Sequence, residues 1–133
     1  MHLVFPPGTS ATVIRDYRRP HDDPISGRSG ETIFVDDAKT GETDIVGWTW
    51  CRAADGREGW VPDAWTSGSG SARKLKRDYC ALELSVRAGE RVSLELSESG
   101  FVRCRTTASE VGWLPDAILE LDGADIAVVT LHE

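Results

Sequence analysis

No apolar stretch of this 133-residue chain is long enough to cross a bilayer as a helix. Such a span needs about 20 consecutive apolar residues, so a helical membrane protein is excluded. Basic side chains are also scarce, 15 Lys and Arg against 22 Asp and Glu, for a net charge of −7. The deficit is even: residues 1–66 hold 7 basic and 11 acidic groups (net −4), and residues 67–133 hold 8 and 11 (net −3). Phosphate contact requires a basic face, so nucleic acid is not the expected partner. Cysteines number three, Cys51, Cys80 and Cys104. An odd count without close pairs fits neither a disulfide framework nor a zinc knuckle, and points to a reducing, cytoplasmic setting. The opening Met1-His2-Leu3-Val4-Phe5-Pro6-Pro7 has no basic n-region and reaches proline early, so no export signal is expected. His2, His21 and His132 have no Cys or carboxylate at metal-ligand spacing. No nucleophile, base and orienter can be assembled, so neither an enzyme nor a cofactor or metal is expected.

What is present is apolar surface to bury: 40% hydrophobic residues, including five Trp. That composition is globular rather than disordered. The dominant signal is an internal repeat. Gly59-Trp60-Val61-Pro62-Asp63-Ala64 recurs as Gly112-Trp113-Leu114-Pro115-Asp116-Ala117. Upstream, Trp48 stands opposite Phe101, Trp50 opposite Arg103 and Cys51 opposite Cys104. Gly30-Glu31 meets Gly89-Glu90, and Arg15-Asp16-Tyr17 meets Arg77-Asp78-Tyr79. The offset falls from 62 to 59 to 53, so the first copy carries its extra residues in loops.

Ser67-Gly68-Ser69-Gly70-Ser71 has the composition of a flexible linker, and the basic run Arg73-Lys74-Leu75-Lys76-Arg77 after it reads as a solvated connector. The division is therefore expected at residue 68, giving units 1–68 and 69–133. Val92, Leu94 and Leu96 alternate with polar residues, Thr32-Ile33-Phe34-Val35 is β-branched and aromatic, and no stretch has a helical period. The chain is expected to be all-β. Ile126-Ala127-Val128-Val129-Thr130-Leu131 reads as one additional C-terminal strand. Cys51 and Cys104 read as buried, inert thiols, and Asp63 and Asp116 as caps of turns or short helices.

Several motifs in order resemble the Src homology 3 family, over roughly residues 12–66 and 74–119. Val13-Ile14-Arg15-Asp16-Tyr17 is similar to its Ala-Leu-Tyr-Asp-Tyr opening, with Arg15 in place of the first tyrosine. Pro24-Ile25-Ser26-Gly27-Arg28-Ser29-Gly30-Glu31 and Glu83-Leu84-Ser85-Val86-Arg87-Ala88-Gly89-Glu90 resemble its segment leading to Gly-Asp/Glu. Trp48 stands where its first core-strand tryptophan stands, and Gly56-Arg57-Glu58-Gly59-Trp60-Val61-Pro62-Asp63-Ala64-Trp65 resembles its closing motif. The resemblance implies two tandem five-stranded barrels, the aromatic groove of the first binding a proline-rich peptide. A polyproline II segment is already extended, so its docking costs little ordering entropy.

Carried over position by position, the resemblance makes Tyr17, Trp48, Trp60, Pro62 and Trp65 walls of the first groove. Asp22 and Asp23, beside His21, become acids that pair with a ligand arginine. The acidic stretch from Asp36 to Asp44 lengthens the loop beside Trp48 and suggests a basic partner. The second, weaker groove would be Tyr79, Phe101, Trp113, Pro115 and Ile118, with Ala81-Leu82 where loop acids would stand. The expected function is thus a cytoplasmic interaction module for an extended, proline- and arginine-containing segment. The alternative is a structural two-barrel subunit or homodimer with its aromatic patches covered. A methylated-cation cage of Trp48, Trp60 and Trp65 and cell-wall binding complete the set.

Overall fold

A computed structural model describes residues 2–43 and 45–122; the C-terminal strand expected over 126–131 lies outside the described residues. In chain order the elements are β1 (His2–Val4), β2 (Ser10–Val13), β3 (Ser26–Gly27), β4 (Thr32–Val35), the single-turn helix α1 (Asp37–Thr40), β5 (Trp48–Arg52), β6 (Glu58–Pro62), β7 (Thr66–Ser67), β8 (Ala72–Leu75), β9 (Tyr79–Cys80), β10 (Arg91–Glu98), β11 (Phe101–Thr106), β12 (Val111–Pro115) and β13 (Leu119–Leu121). Turns of 3-10 helix, Asp63–Trp65 and Asp116–Ile118, follow β6 and β12. The all-β class is as expected.

Two compact units form. One is His21–Leu82; the other is built from its two flanks, Met1–Pro20 and Glu83–Glu133, described over residues 2–20 and 83–122. This division does not follow the repeat boundary near residue 70. Each unit takes its opening segment from one copy of the repeat and the remaining strands from the other.

In the flanking unit the sheet runs β12-β11-β10-β2-β13, with β1 also on β10. The eight-residue β10 is long enough to pair with β2 through Arg91–Ser93 and with β1 through Leu96–Glu98 on one side, and with β11 on the other. Its alternation drives Val92, Leu94 and Leu96 inward, as their spacing predicts. Val92 and Leu94 meet Ala11, Val13, Leu84, Val86, Val102, Cys104, Leu114 and Ile118 in one core. Ser99 and Gly100 both have positive φ (46° and 92°), the backbone that a two-residue hairpin between β10 and β11 demands.

In the unit His21–Leu82 the sheet order is β6-β5-β4-β8-β7, and a short β3–β9 pair stands apart from it. Ile25, Ile33, Cys51, Val61 and Leu75 are its most deeply buried apolar side chains. The segment read as a flexible linker is instead the turn of a hairpin. Thr66 pairs with Leu75 and Ser67 with Lys74, while Gly68 and Gly70 adopt the positive φ of the turn between them. The first half of the basic run, Arg73–Leu75, lies on strand β8 with Leu75 buried, and the exposed Lys76 and Arg77 follow it.

Equivalent hydrogen bonds mark the exchange of opening segments. Lys76 N–H donates to Trp65 O as Ile14 N–H donates to Ile118 O, both at 2.8 Å. Gly30 N–H reaches Leu75 O as Gly89 N–H reaches Val13 O, both at 2.7 Å. In the flanking unit the opening strand comes first in the chain; in the unit His21–Leu82 it comes last, as in a circular permutant. Domain ends that lie close together tolerate this rearrangement.

Candidate functional site

The β5–β6 hairpin carries the densest aromatic group. Its register sets Trp48 against Pro62 and Trp50 against Trp60 on one face, leaving Cys51 and Val61, both fully buried, on the other. Trp50 and Trp60 meet edge to face, 5.3 Å between centroids and 83° between planes, a favoured arrangement of ring quadrupoles. The indole N–H of Trp50 donates to Glu58 Oε1 at 2.9 Å. His21 packs edge-on at 5.5 Å, and the Lys39 ammonium lies 4.5 Å from the Trp50 ring centre.

Lys39 is placed there by α1. Asp36 caps the helix by accepting the Lys39 N–H at 2.9 Å, and the turn docks on the backbone of Trp50. Asp36 N–H donates to Trp50 O at 2.8 Å, and Trp50 N–H donates to Thr40 Oγ1 at 3.0 Å. The acidic loop expected beside Trp48 thus contains a folded turn that presents a cation.

A second aromatic group lies around the 3-10 turn. Trp65 packs edge to face on Tyr79 at 5.4 Å, with the Arg77 guanidinium 4.0 Å over its ring. The Tyr79 hydroxyl donates to Trp60 O at 2.6 Å. Tyr79, assigned from sequence to the second groove, therefore stands with Trp60 and Trp65. Tyr17, assigned to the first, lies in the flanking unit, where it pairs with Val86 and its hydroxyl donates to Glu83. Burial and the Glu83 carboxylate both raise the Tyr17 pKa above the ordinary phenol value.

Exposure separates these residues. Trp60 is half-buried, but Trp48, Trp50, Trp65 and Trp113 are only 5%, 4%, 3% and 2% exposed, Trp50 with Lys39 over its ring, and Pro62 is fully buried. Asp22 and Asp23 are exposed; Asp23 pairs with Arg57 at 3.3 Å, and Arg57 also holds Asp55 at 2.9 Å. Exposed pairs of this kind contribute little and yield easily to a competing charge. Phe101 and Pro115 face each other, half-buried, across β11–β12, while Ile118 belongs to the core of its unit.

Neither 3-10 turn has a side-chain cap at its N-terminus, although the Thr66 hydroxyl donates to Asp63 O at 3.0 Å at the end of the first. Asp63 instead accepts the Thr49 hydroxyl and an ion pair from Arg73 at 3.2 Å. Among the described residues no group of three His, Cys, Asp or Glu could hold a metal, and no helix is long and apolar enough to cross a membrane.

Sequence reasoning missed Trp50 and Lys39 as members of the site. Period-two alternation from Trp48 and the hairpin register would have put Trp50 opposite Trp60. Nothing in the local pattern announced the single helical turn that carries Lys39.

Residues 11–67 match the model of the variant SH3 domain family. Domains of that family are, in general, protein-interaction modules that typically bind without catalysing a reaction. The matched residues run through both compact units, beginning on β2 in one and ending on β7 in the other. Comparison with curated proteins and with solved structures gives no match.

Proposed function

We propose that the unit His21–Leu82 binds an extended protein segment carrying proline and a basic side chain, along the outer face of the β5–β6 hairpin. The observation that carries this reading is Trp60: half-buried, set against Trp50, and flanked on its own strand by exposed Glu58. An apolar ring beside a carboxylate suits a ligand with both a flat apolar surface and a cation. Asp22 and Asp23 add exposed negative charge from the loop that also bears His21. Tyr79 takes the place in this group expected for Tyr17, with Trp65 packed against it and its hydroxyl on Trp60 O.

The burial of Trp48, Trp65 and Trp113 favours a second reading, in which these rings are structural and no continuous groove is open. The flanking unit, with Trp113 and Ile118 buried and only Phe101 and Pro115 half-exposed, fits that reading better than it fits a second binding groove.

An NMR titration of the full chain with a degenerate peptide pool containing proline and arginine separates the two. Peptide binding shifts the Trp60 indole N–H and that of its neighbour Trp50, and Trp60→Ala abolishes the shift at Trp50. Five indole signals that stay unmoved across the titration, with Trp60 as slow to exchange with solvent as the rest, would leave the structural reading standing.

A further inference from the structure

We infer that the face of Trp50 is a cation-binding site that the chain keeps closed with its own Lys39, and that a guanidinium or ammonium group of the partner segment takes it over when Lys39 leaves. The inference rests on the peptide-binding reading above and names the group that the peptide inserts.

The site has the parts that cation recognition needs. The Trp50 ring supplies a negative face, and indole is the best of the aromatic side chains at this. The rings of Trp60 and His21 meet it in T-shaped contacts at 5.3 and 5.5 Å, which holds its orientation. Glu58, fixed at the rim by its hydrogen bond from the Trp50 indole, adds a formal negative charge. A cation already sits there: Lys39 Nζ, 4.5 Å from the ring centre.

The element that delivers Lys39 is built to move. α1 is a single turn with no buried residue. One turn is too short to hold itself as a helix, so its place depends on the Asp36 cap and two hydrogen bonds to the Trp50 backbone. Lys39 itself is exposed apart from its contact with the ring. An arginine from a partner exchanges one cation for another, so the electrostatics of the pocket are preserved. The planar guanidinium also stacks on an indole and can share the Glu58 carboxylate, which a lysine tip does less well.

The test uses the full chain with indole NMR of Trp50 and Trp60, comparing the natural protein with Lys39→Met, which keeps the stem and removes the charge, and Lys39→Arg, which keeps the charge. The probe is N-acetyl-arginine amide, with N-acetyl-citrulline amide as its neutral counterpart. Opening the site should lower the half-saturating concentration of the arginine probe about two- to five-fold in Lys39→Met, the range for an exposed cation–π contact. Lys39→Arg, which keeps a cation on the ring, should show no gain and need at least as much arginine probe as the natural protein, and the citrulline probe should leave Trp50 unmoved. Equal responses of the natural protein and Lys39→Met, or equal responses to the two probes, would overturn the inference. The peptide pool, titrated in parallel, keeps the two claims apart. Peptide shifts at Trp60 without any gain for the arginine probe leave the peptide-binding reading and remove the Lys39 gate. A gain for the arginine probe without peptide shifts does the reverse.

Discussion

The carboxylate of Asp78 accepts the backbone N–H of Ser29 at 2.8 Å, and its counterpart Asp16 accepts that of Ala88 at the same distance. Each Arg-Asp-Tyr motif thus fixes the turn before the Gly-Glu of the other copy, not of its own. An acid aimed at a turn N–H is a local lock, and here two such locks record the exchange of opening segments between the copies.

That exchange defines the fragment that folds by space and not by the repeat. Residues 21–82 expressed alone should unfold in one cooperative transition, because β8 and β9 travel with the strands they pair. Residues 1–68 should not, because that fragment loses β8, the partner of both β4 and β7. Far-UV circular dichroism during thermal melting distinguishes them, and a cooperative melt of 1–68 alone would sink the exchange.

The strands themselves were legible, since alternation at Val92-Leu94-Leu96 and the paired Gly-Trp-x-Pro-Asp motifs fix inward and outward faces. The partnership of the opening strands was not. Arg15-Asp16-Tyr17 and Arg77-Asp78-Tyr79 offer the same donors and acceptors, so local sequence cannot say which turn either will lock. Loop length decides: only residues 68–71 separate β7 from β8, and closing so short a loop costs less entropy than bringing residues 10–13 back to β7. The site was half legible for a related reason. The aromatic positions are in the sequence, but burial of Trp48 and Trp65, and the approach of Lys39 to Trp50, depend on elements packed over them.

Thiol chemistry should report the same packing. Cys51 and Cys104 are buried, and burial pushes their pKa values up to about 11 and about 12; Asp63 and Glu95 respectively add to the effect, while Arg73 opposes it at Cys51. Cys80 is exposed. A thiol reacts as its thiolate, so at pH 8 a maleimide should modify Cys80 alone in the folded protein and all three cysteines in denaturant. Mass spectrometry after brief labelling counts them, and rapid native labelling of Cys51 would contradict the buried assignment.

Gly59 is where the repeat motif meets the tightest packing. A Cβ there would sit 3.0 Å from Ile25 Cγ2, so Ile25 must shift, while Ala81 Cβ at 3.4 Å leaves it little room. Gly59→Ala should cost about 1–3 kcal/mol, as overpacked sites do. For a domain of this size each kcal/mol lowers Tm by about 4–8 °C. Gly41→Ala, whose added Cβ would meet nothing closer than 3.4 Å, is the control and should melt near the natural protein.

Acid stability should expose the clamp that ties β13 to β2. Asp122 accepts the hydroxyls of Ser10 at 2.6 Å and Thr12 at 2.8 Å, and pairs with Arg91 at 2.9 Å. These partners, the hydroxyls first and Arg91 after them, lower its pKa to about 2. An unfolded Asp titrates near 3.9, so the fold favours the ionised form. The resulting stability is fully present above about pH 4 and is lost as pH falls from there towards 2. Denaturant midpoints measured from pH 7 to 2 should therefore fall along that limb. Asp122→Asn should be less stable than the natural protein at neutral pH and fall less steeply below pH 4. Parallel acid limbs for the two proteins would mean that other carboxylates carry the transition and that Asp122 is not the clamp.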